Sequence, residues 1–311
     1  MACAALAEKP NWIQIRMSSA HIIIVNYNAG DWLRRSLKSV LDFSLFNVTV
    51  VDNCSVDDSV VNAKQHFAGE NRLNWIENSE NRGFAAANNQ VLAELSTEFS
   101  VLLNPDCEIN QFTLQLMLDA FNAYPEIGLA SCRILNEDGS LQRTCRRQFP
   151  TPWSALVRML QLHRLFPNNP KFVNFDYGDS DIKVGEIEFV EAISGAFMVV
   201  RKSAMDDVGL LDEEYFMHCE DLDWCKRFAQ HGWKVAFVSD ASVVHAKGVS
   251  SASRPTLVLW TLHKGMNRFF DKFYRNQNSL LLRWVVKLGI VASFVLRWLV
   301  SLLNRISRIS K

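Results

Sequence analysis

The chain has 311 residues, 49% of them hydrophobic and 21% charged, with 33 basic and 33 acidic side chains. That balance excludes a disordered chain and gives no overall basic character for binding nucleic acid. The length allows one large domain or a medium one with an extension. Seven cysteines (Cys3, Cys54, Cys107, Cys132, Cys145, Cys219 and Cys225) are odd in number and lack CxxC or zinc-like spacing. They read as small apolar filler in a reduced, cytosolic chain.

In chain order, MACAALAEKPNWIQIR has no apolar core of the kind a signal peptide needs, so residues 1–19 read as an N-terminal extension. HIIIVNY (21–27) is a short apolar run expected as a strand buried on both faces. GDWLRRSLKSVLDF follows, with Trp32, Leu33, Leu37, Val40 and Leu41 on one helical stripe. VTVVDN (48–53) is a second strand, and VDDSVVNAKQHF a helix opened by Asp57 and Ser59. LNWIEN (73–78), the helix FAAANNQVLAEL (84–95) and the strand FSVLLNPD (99–106) continue the alternation. Such alternation predicts right-handed crossovers and a mostly parallel sheet, with ligands beyond the carboxyl ends of its strands. Each of those ends carries an Asn or Asp: Asn26-Tyr27-Asn28, Asp52-Asn53, Asn81-Arg82-Gly83 and Asn104-Pro105-Asp106. One such cluster is a turn signal; four together suggest a nucleotide pocket.

Residues 136–186 form a less regular section, followed by EFVEAISGAFMVVRKSAMDDVG, FMHCEDLDWCKRFAQHGWKV and ASVVHAKG. No GxGxxG follows the first strand and no GxxxxGK[ST] occurs, so the usual dinucleotide and P-loop readings lack their phosphate loops.

IIIVNYN, VVDNCSVDDS, ENRGFAAANN, LLNPDCEI, the SGAF-to-ED stretch and VVHAKG occur in the order seen in glycosyltransferase family 2, which the chain resembles over about residues 20–250. NRGFAAANN with NPD is most similar to the rhamnosyltransferase-like branch, which builds bacterial surface polysaccharides. The resemblance implies a GT-A-type α/β fold, with a nucleotide-sugar half (about 20–126) and an acceptor half (about 127–253) in one catalytic domain over 20–253.

It also implies residue roles. Asp52 matches the acid that recognises the base, and as an acceptor it suits a pyrimidine imide or ribose hydroxyl. Asp106 stands where the family has its DxD metal motif, with Asn104, a neutral and weaker ligand, in the first acidic place. Asp106 and diphosphate oxygens suit Mg2+ or Mn2+. His245 matches a metal-binding histidine of related enzymes, and imidazole favours Mn2+; its other reading is a hydrogen-bonded core histidine. Asp221 matches the ED base that takes the acceptor proton, with Glu220 placing acceptor or base. Asp223, two residues further along the helix, is expected as a surface acid stabilising the helix dipole. Arg82 and Gly83 are expected near the diphosphate, Asn26, Asn28, Asn53 and Asn88 around the nucleotide sugar, and Gly195 on the acceptor side. Trp224 and Trp233 read as core or as sugar platforms, core first.

From Arg254 to Lys311 eleven Lys and Arg accompany a single acid, Asp271, so this tail (254–311) carries about +10. LLLRWVVKLGIVASFVLRWLVSLLNRISR (280–308) mixes apolar residues with spaced arginines and two tryptophans, as in a helix lying on an anionic leaflet. A helix crossing the bilayer is the second reading, and one packed on the domain or in a dimer with a basic outer face the third. The expected protein is an inverting transferase of a sugar, from dTDP-rhamnose or a UDP-sugar, to a lipid-linked glycan at the inner face of the cell membrane. The alternatives are a sugar nucleotidyltransferase and a non-catalytic glycan-binding protein that keeps the fold. Oligomeric state is not legible.

Overall fold

The computed structural model describes residues 19–159, 162–166, 169, 182–246 and 255–309. The N-terminal extension before Ser19, the middle of the irregular section, and Lys247 to Arg254 lie outside the described residues.

β1 (Ala20–Asn26) is buried along its whole length because HIIIVN meets a neighbouring strand on each edge and helices on each face. α1 (Asp31–Phe43) buries Leu33, Leu37 and Val40, the stripe its 3.6-residue spacing predicts. β2 (Asn47–Asp52), α2 (Ser59–His66), β3 (Leu73–Glu77), α3 (Phe84–Leu92) and β4 (Phe99–Leu103) complete four parallel strands in the order β3-β2-β1-β4.

The second half is mixed. β5 (Cys107–Ile109), α4 (Thr113–Ala123) and β6 (Ile127–Leu135) are followed by β7 (Arg146–Arg147), α5 (Pro152–Met159) and α6 (Leu162–Leu165). Then come β8 (Ile187–Phe189), β9 (Ala192–Ile193), β10 (Phe197–Arg201), α7 (Lys202–Val208), α8 (Glu220–Gln230) and β11 (Lys234–His245). The sheet runs β3-β2-β1-β4-β10-β6-β11-β5, with β8 on β11; β10 is antiparallel to both β4 and β6, while β6 and β11 are parallel. β7 and β9 form a separate two-stranded pair.

α8 starts at a sharp corner. His218 and Cys219 both adopt left-handed backbone (φ 72° and 70°), which turns the chain so that Glu220 and Asp221 open the helix. Asp223 is not the surface acid expected from its place in the first turn. It is fully buried, and its carboxylate pairs with Arg227 at 2.7 Å and Lys272 at 2.6 Å. A buried carboxylate requires such partners. Trp224 is also fully buried, in T-shaped contact with Phe228 and donating to the Gly209 carbonyl, which selects the core reading. Trp233 donates to Asp207.

Lys272 lies on α9 (Pro255–Phe273), so the beginning of the basic tail is bonded into the catalytic body. Phe269 belongs to the main core and stacks with Phe149, and Arg268 and Lys272 both hold Asp212. Gly265 abuts the corner before α8: a Cβ there would stand 2.8 Å from the His218 carbonyl oxygen. After a short turn, α10 (Leu280–Ile309) folds back along α9 through Trp260–Phe294 and His263–Phe294 ring contacts and the Lys287–Asp271 ion pair.

Candidate active site

The β1–β2 register sets Asn26 beside Asp52. The buried Asn26 amide donates to Asp52 Oδ1 (2.8 Å), Ser55 Oγ (3.0 Å) and Ser59 Oγ (2.9 Å), while Ser55 donates its hydroxyl and its backbone N–H to the Asp52 carboxylate. Asp52 is thereby fixed as a buried acceptor at the strand end. Asn28, left-handed at φ 51°, accepts the Val56 N–H and donates its own N–H to Ser55, which closes the loop after β2. Asn53 donates to the Gly83 carbonyl and accepts from Asn78. Asn88 donates back to Phe84 within its own helix, and Arg82 is exposed. The asparagines thus build the loops around Asp52.

Gly83 has a role its neighbours cannot share. Its φ is +83°, and a Cβ would lie 2.4 Å from the Phe216 carbonyl oxygen, which accepts the Phe84 N–H. Gly83→Ala is expected to cost about 1–3 kcal/mol for the backbone conformation alone, with displacement of the 216–219 segment added. A urea melt of the variant measures it; an unchanged midpoint would contradict this close approach.

Asp106 follows β4, where Asn104 donates its backbone N–H to the Ala196 carbonyl. Antiparallel pairing of β5 with β11 sets His245 opposite Cys107, and Ala246 N–H donates to the Asp106 carbonyl. His245 Nε2 consequently lies 3.2 Å from Asp106 Oδ1, both side chains nearly buried. Among the described residues Asp106, Cys107 and His245 offer ligand atoms within 4.8 Å of one another. Cys107 is a poor ligand: burial pushes its thiol pKa well up, and Sγ faces the Ala196 carbonyl. Asp106 and His245 fit a divalent cation, because a carboxylate oxygen and an imidazole nitrogen 3.2 Å apart are both ligands such ions accept.

Asp221 stands in the first turn of α8, against Gly195. Its Oδ2 accepts from the Gly195 N–H at 3.1 Å and from Arg147, and its Oδ1 from the Leu222 N–H at 2.8 Å. A Cβ on Gly195 would sit 3.4 Å from that of Asp221, filling the space beside the carboxylate. Glu220 is buried, with Oε2 lacking any hydrogen-bond partner, and burial followed by the Asp221 charge raises its pKa to about 8. Two adjacent carboxyls are thus split by their surroundings: Asp221 holds the hydrogen-bond donors, and Glu220, buried with an orphan oxygen, holds the proton.

That shift has a stability consequence. Glu220 titrates near 4.5 when unfolded and near 8 when folded, so the native state binds the extra proton between them. Its contribution is complete below about pH 4.5 and is lost as pH rises through 8. Glu220→Gln is expected to flatten the fall of melting temperature between pH 5 and 8; a parallel fall in both proteins would place the titration elsewhere.

Three site residues escape the sequence reading. Arg147, on β7, bonds the Ile193 carbonyl as well as Asp221. Gln142 touches His245 through both ends of its amide. His218, half-buried, has an Nε2 without a hydrogen-bond partner among the described residues, beside the Glu220 corner. Arg147 and Gln142 come from the irregular section, where no periodicity marks them. The consecutive arginines at 146 and 147 were the available local signal.

A solved structure of GalNAc-T7 with UDP, GalNAc and Mn2+ superposes with a TM-score of 0.60 at 15% identity, covering 83% of this chain and 48% of that one. This likeness fixes the fold as GT-A-like. In sequence, the N-acetylglucosaminyl-diphospho-decaprenol L-rhamnosyltransferase of Mycobacterium tuberculosis is 27% identical over 86% of this chain and 88% of its own length. Rhamnosyltransferase WbbL of Escherichia coli is 26% identical over 72% of this chain and 82% of its own. The glycosyl transferase family 2 model matches residues 21–182, which carry Asp52, Asp106 and Arg147. With that match spanning half of the sequence, and with rhamnosyltransferases among its relatives, the chain belongs to glycosyl transferase family 2 and is a glycosyltransferase.

Proposed function

We propose that this enzyme transfers a sugar with inversion from a pyrimidine-nucleotide donor, dTDP-rhamnose first and UDP-sugars next, to a lipid-linked saccharide in polysaccharide synthesis at the inner face of the cell membrane. The observation that carries the reading is the separation of duties at the sheet edge. Asp106 and His245 form a cation-ready pair, and Asp221 is a separate carboxylate held by Arg147 and the Gly195 amide. The names of the mycobacterial and E. coli relatives support rhamnose and, for the first, a diphospho-decaprenol acceptor.

Asp52 receives the donor's base or ribose. Asp106 and His245 would hold Mg2+ or Mn2+, which supplies positive charge for the departing diphosphate. The acceptor hydroxyl oxygen attacks the anomeric carbon from the face opposite the nucleotide. The bond from that carbon to the diphosphate oxygen breaks, and the hydroxyl proton passes to Asp221. Protonated Glu220 is a hydrogen-bond donor for the acceptor sugar.

The test follows nucleoside diphosphate release from dTDP-rhamnose and UDP-sugars with a polyprenyl-diphosphate-linked N-acetylglucosamine acceptor, in Mn2+, Mg2+ or EDTA. Release that requires one donor, the acceptor and a metal is expected. Turnover with no donor of either class overturns the donor assignment; full turnover in EDTA overturns the cation role of Asp106 and His245.

A further inference from the structure

Gln142 has a position that the irregular sequence around it gives no reason to expect. A turn over 136–140, with Gly139 at φ +80°, reverses the chain after β6. An antiparallel bridge between Leu135 and Leu141 and a bond from the Gln142 N–H to the Ile134 carbonyl then lay this residue against the end of β11. Gln142 is buried there, and its amide spans one residue: Nε2 donates to the His245 carbonyl at 2.8 Å, and Oε1 lies 3.1 Å from His245 Nδ1.

Those two contacts fix a proton. The His245 carbonyl can only accept, so the amide end facing it must be the NH2 group. A flipped amide would oppose two acceptors, which excludes it. Oε1 therefore faces Nδ1, and because Oε1 can only accept, Nδ1 carries the hydrogen. With the Nδ1 position already occupied by hydrogen, Nε2 is the ring nitrogen left to ligate, and it faces Asp106 Oδ1 3.2 Å away. A cation placed between the two atoms would be held by both.

We propose that Gln142 is the positioning residue of the cation site: it fixes the Nδ1–H tautomer of His245, so that Nε2 is free to ligate alongside Asp106. This rests on the cation role given above to Asp106 and His245. The partner on the distal nitrogen also restrains the ring, and loss of such partners costs about 10- to 100-fold in metal affinity. Imidazole ligation suits Mn2+ more than Mg2+, so the loss should be larger for Mn2+.

Two measurements on the full chain test it. Mn2+ is titrated, with and without UDP, into wild type, Gln142→Leu and Gln142→Glu, and the free-ion paramagnetic resonance signal is read. Separately, long-range 1H–15N correlation of the imidazole nitrogens, with no metal added, reads the tautomer. Gln142→Leu should bind Mn2+ about 10- to 100-fold more weakly and lose the Nδ1–H signature. Gln142→Glu, protonated on the oxygen that faces the His245 carbonyl, keeps both the donor to that carbonyl and the acceptor on Nδ1, and should bind within a few-fold of wild type, which excludes mere misfolding. Equal Mn2+ affinity in wild type and Gln142→Leu, or an Nε2–H tautomer in wild type, overturns the role of Gln142. Wild type that takes up no Mn2+ under either condition overturns the cation reading on which it rests.

Discussion

Asp221→Asn should lower turnover by about 10²- to 10⁴-fold, the usual contribution of a positioned base, with little change in donor affinity. The asparagine keeps the shape of the side chain, and its Oδ1 can still accept from Arg147 and Gly195. Removing the charge opposite a nearly buried guanidinium should still cost about 1–3 kcal/mol, so the variant is assayed well below its melting temperature. Glu220 is the natural rival as base, since it precedes Asp221 and is equally acidic in sequence. The structure separates them. Asp221 accepts three hydrogen bonds, one from an arginine, whereas Glu220 is buried with an orphan oxygen and a pKa raised to about 8. A carboxyl already protonated at neutral pH cannot accept the acceptor's proton there. Glu220→Gln, which mimics the protonated form, should therefore retain most of wild-type turnover at pH 7. Nucleoside diphosphate release in the presence of acceptor measures both variants. If Asp221→Asn kept wild-type turnover while Glu220→Gln lost it, the roles would be exchanged.

The sequence exposes this site unevenly, for a physical reason. Asn26, Asp52 and Asp106 are visible because each ends an apolar run, and parallel crossovers must bring those ends to one edge. Gly83 is visible as a glycine, but the contact that demands it comes from Phe216, far along the chain. Asp223 shows the same gap in reverse. A local rule put it on the surface, yet Lys272 reaches it from a helix that begins after the catalytic motifs end. Arg147 and Gln142 were invisible because their work depends on where an irregular segment returns to the sheet. Patterns within one element were legible; pairings between distant elements were not. The antiparallel insertion of β10 between β4 and β6 belongs to the second kind.

Replacing Trp284, Leu288 and Val291 together by serine should release the enzyme from anionic lipid vesicles while leaving turnover on a soluble acceptor analogue intact. The outward face of α10 carries exposed Leu281, Trp284, Leu288, Val291, Val295 and Leu299. Two of its charges are turned inward: Lys287 pairs with Asp271 of α9, and Arg283 donates to the Asn278 carbonyl in the turn between the helices. The helix packs on α9 as the third reading of the tail expects, but its exposed face is largely apolar rather than basic, an arrangement suited to a lipid surface. Residues Leu280–Leu303 are long and apolar enough to cross a membrane, and none of the stretch is buried. Crossing would require α10 to leave α9 and carry Lys287 into hydrocarbon without Asp271, a cost that lying flat avoids. Each large apolar side chain transferred into lipid contributes about 1.5–3 kcal/mol. Losing three should weaken vesicle binding well beyond about 10³-fold, since every 1.4 kcal/mol is tenfold. Flotation with vesicles of increasing anionic content measures binding, and alkaline carbonate separates a helix on the surface from one through it. Extraction by carbonate is the expected result, and resistance would mean that α10 spans. If the triple variant floated like wild type, the apolar face would have another occupant. Because α9 also holds Asp212 and Asp223 and abuts the His218 corner that opens α8, a membrane engaged by α10 would lie one helix away from Asp221, the proposed base. That is the placement an enzyme needs if its acceptor is fixed in lipid.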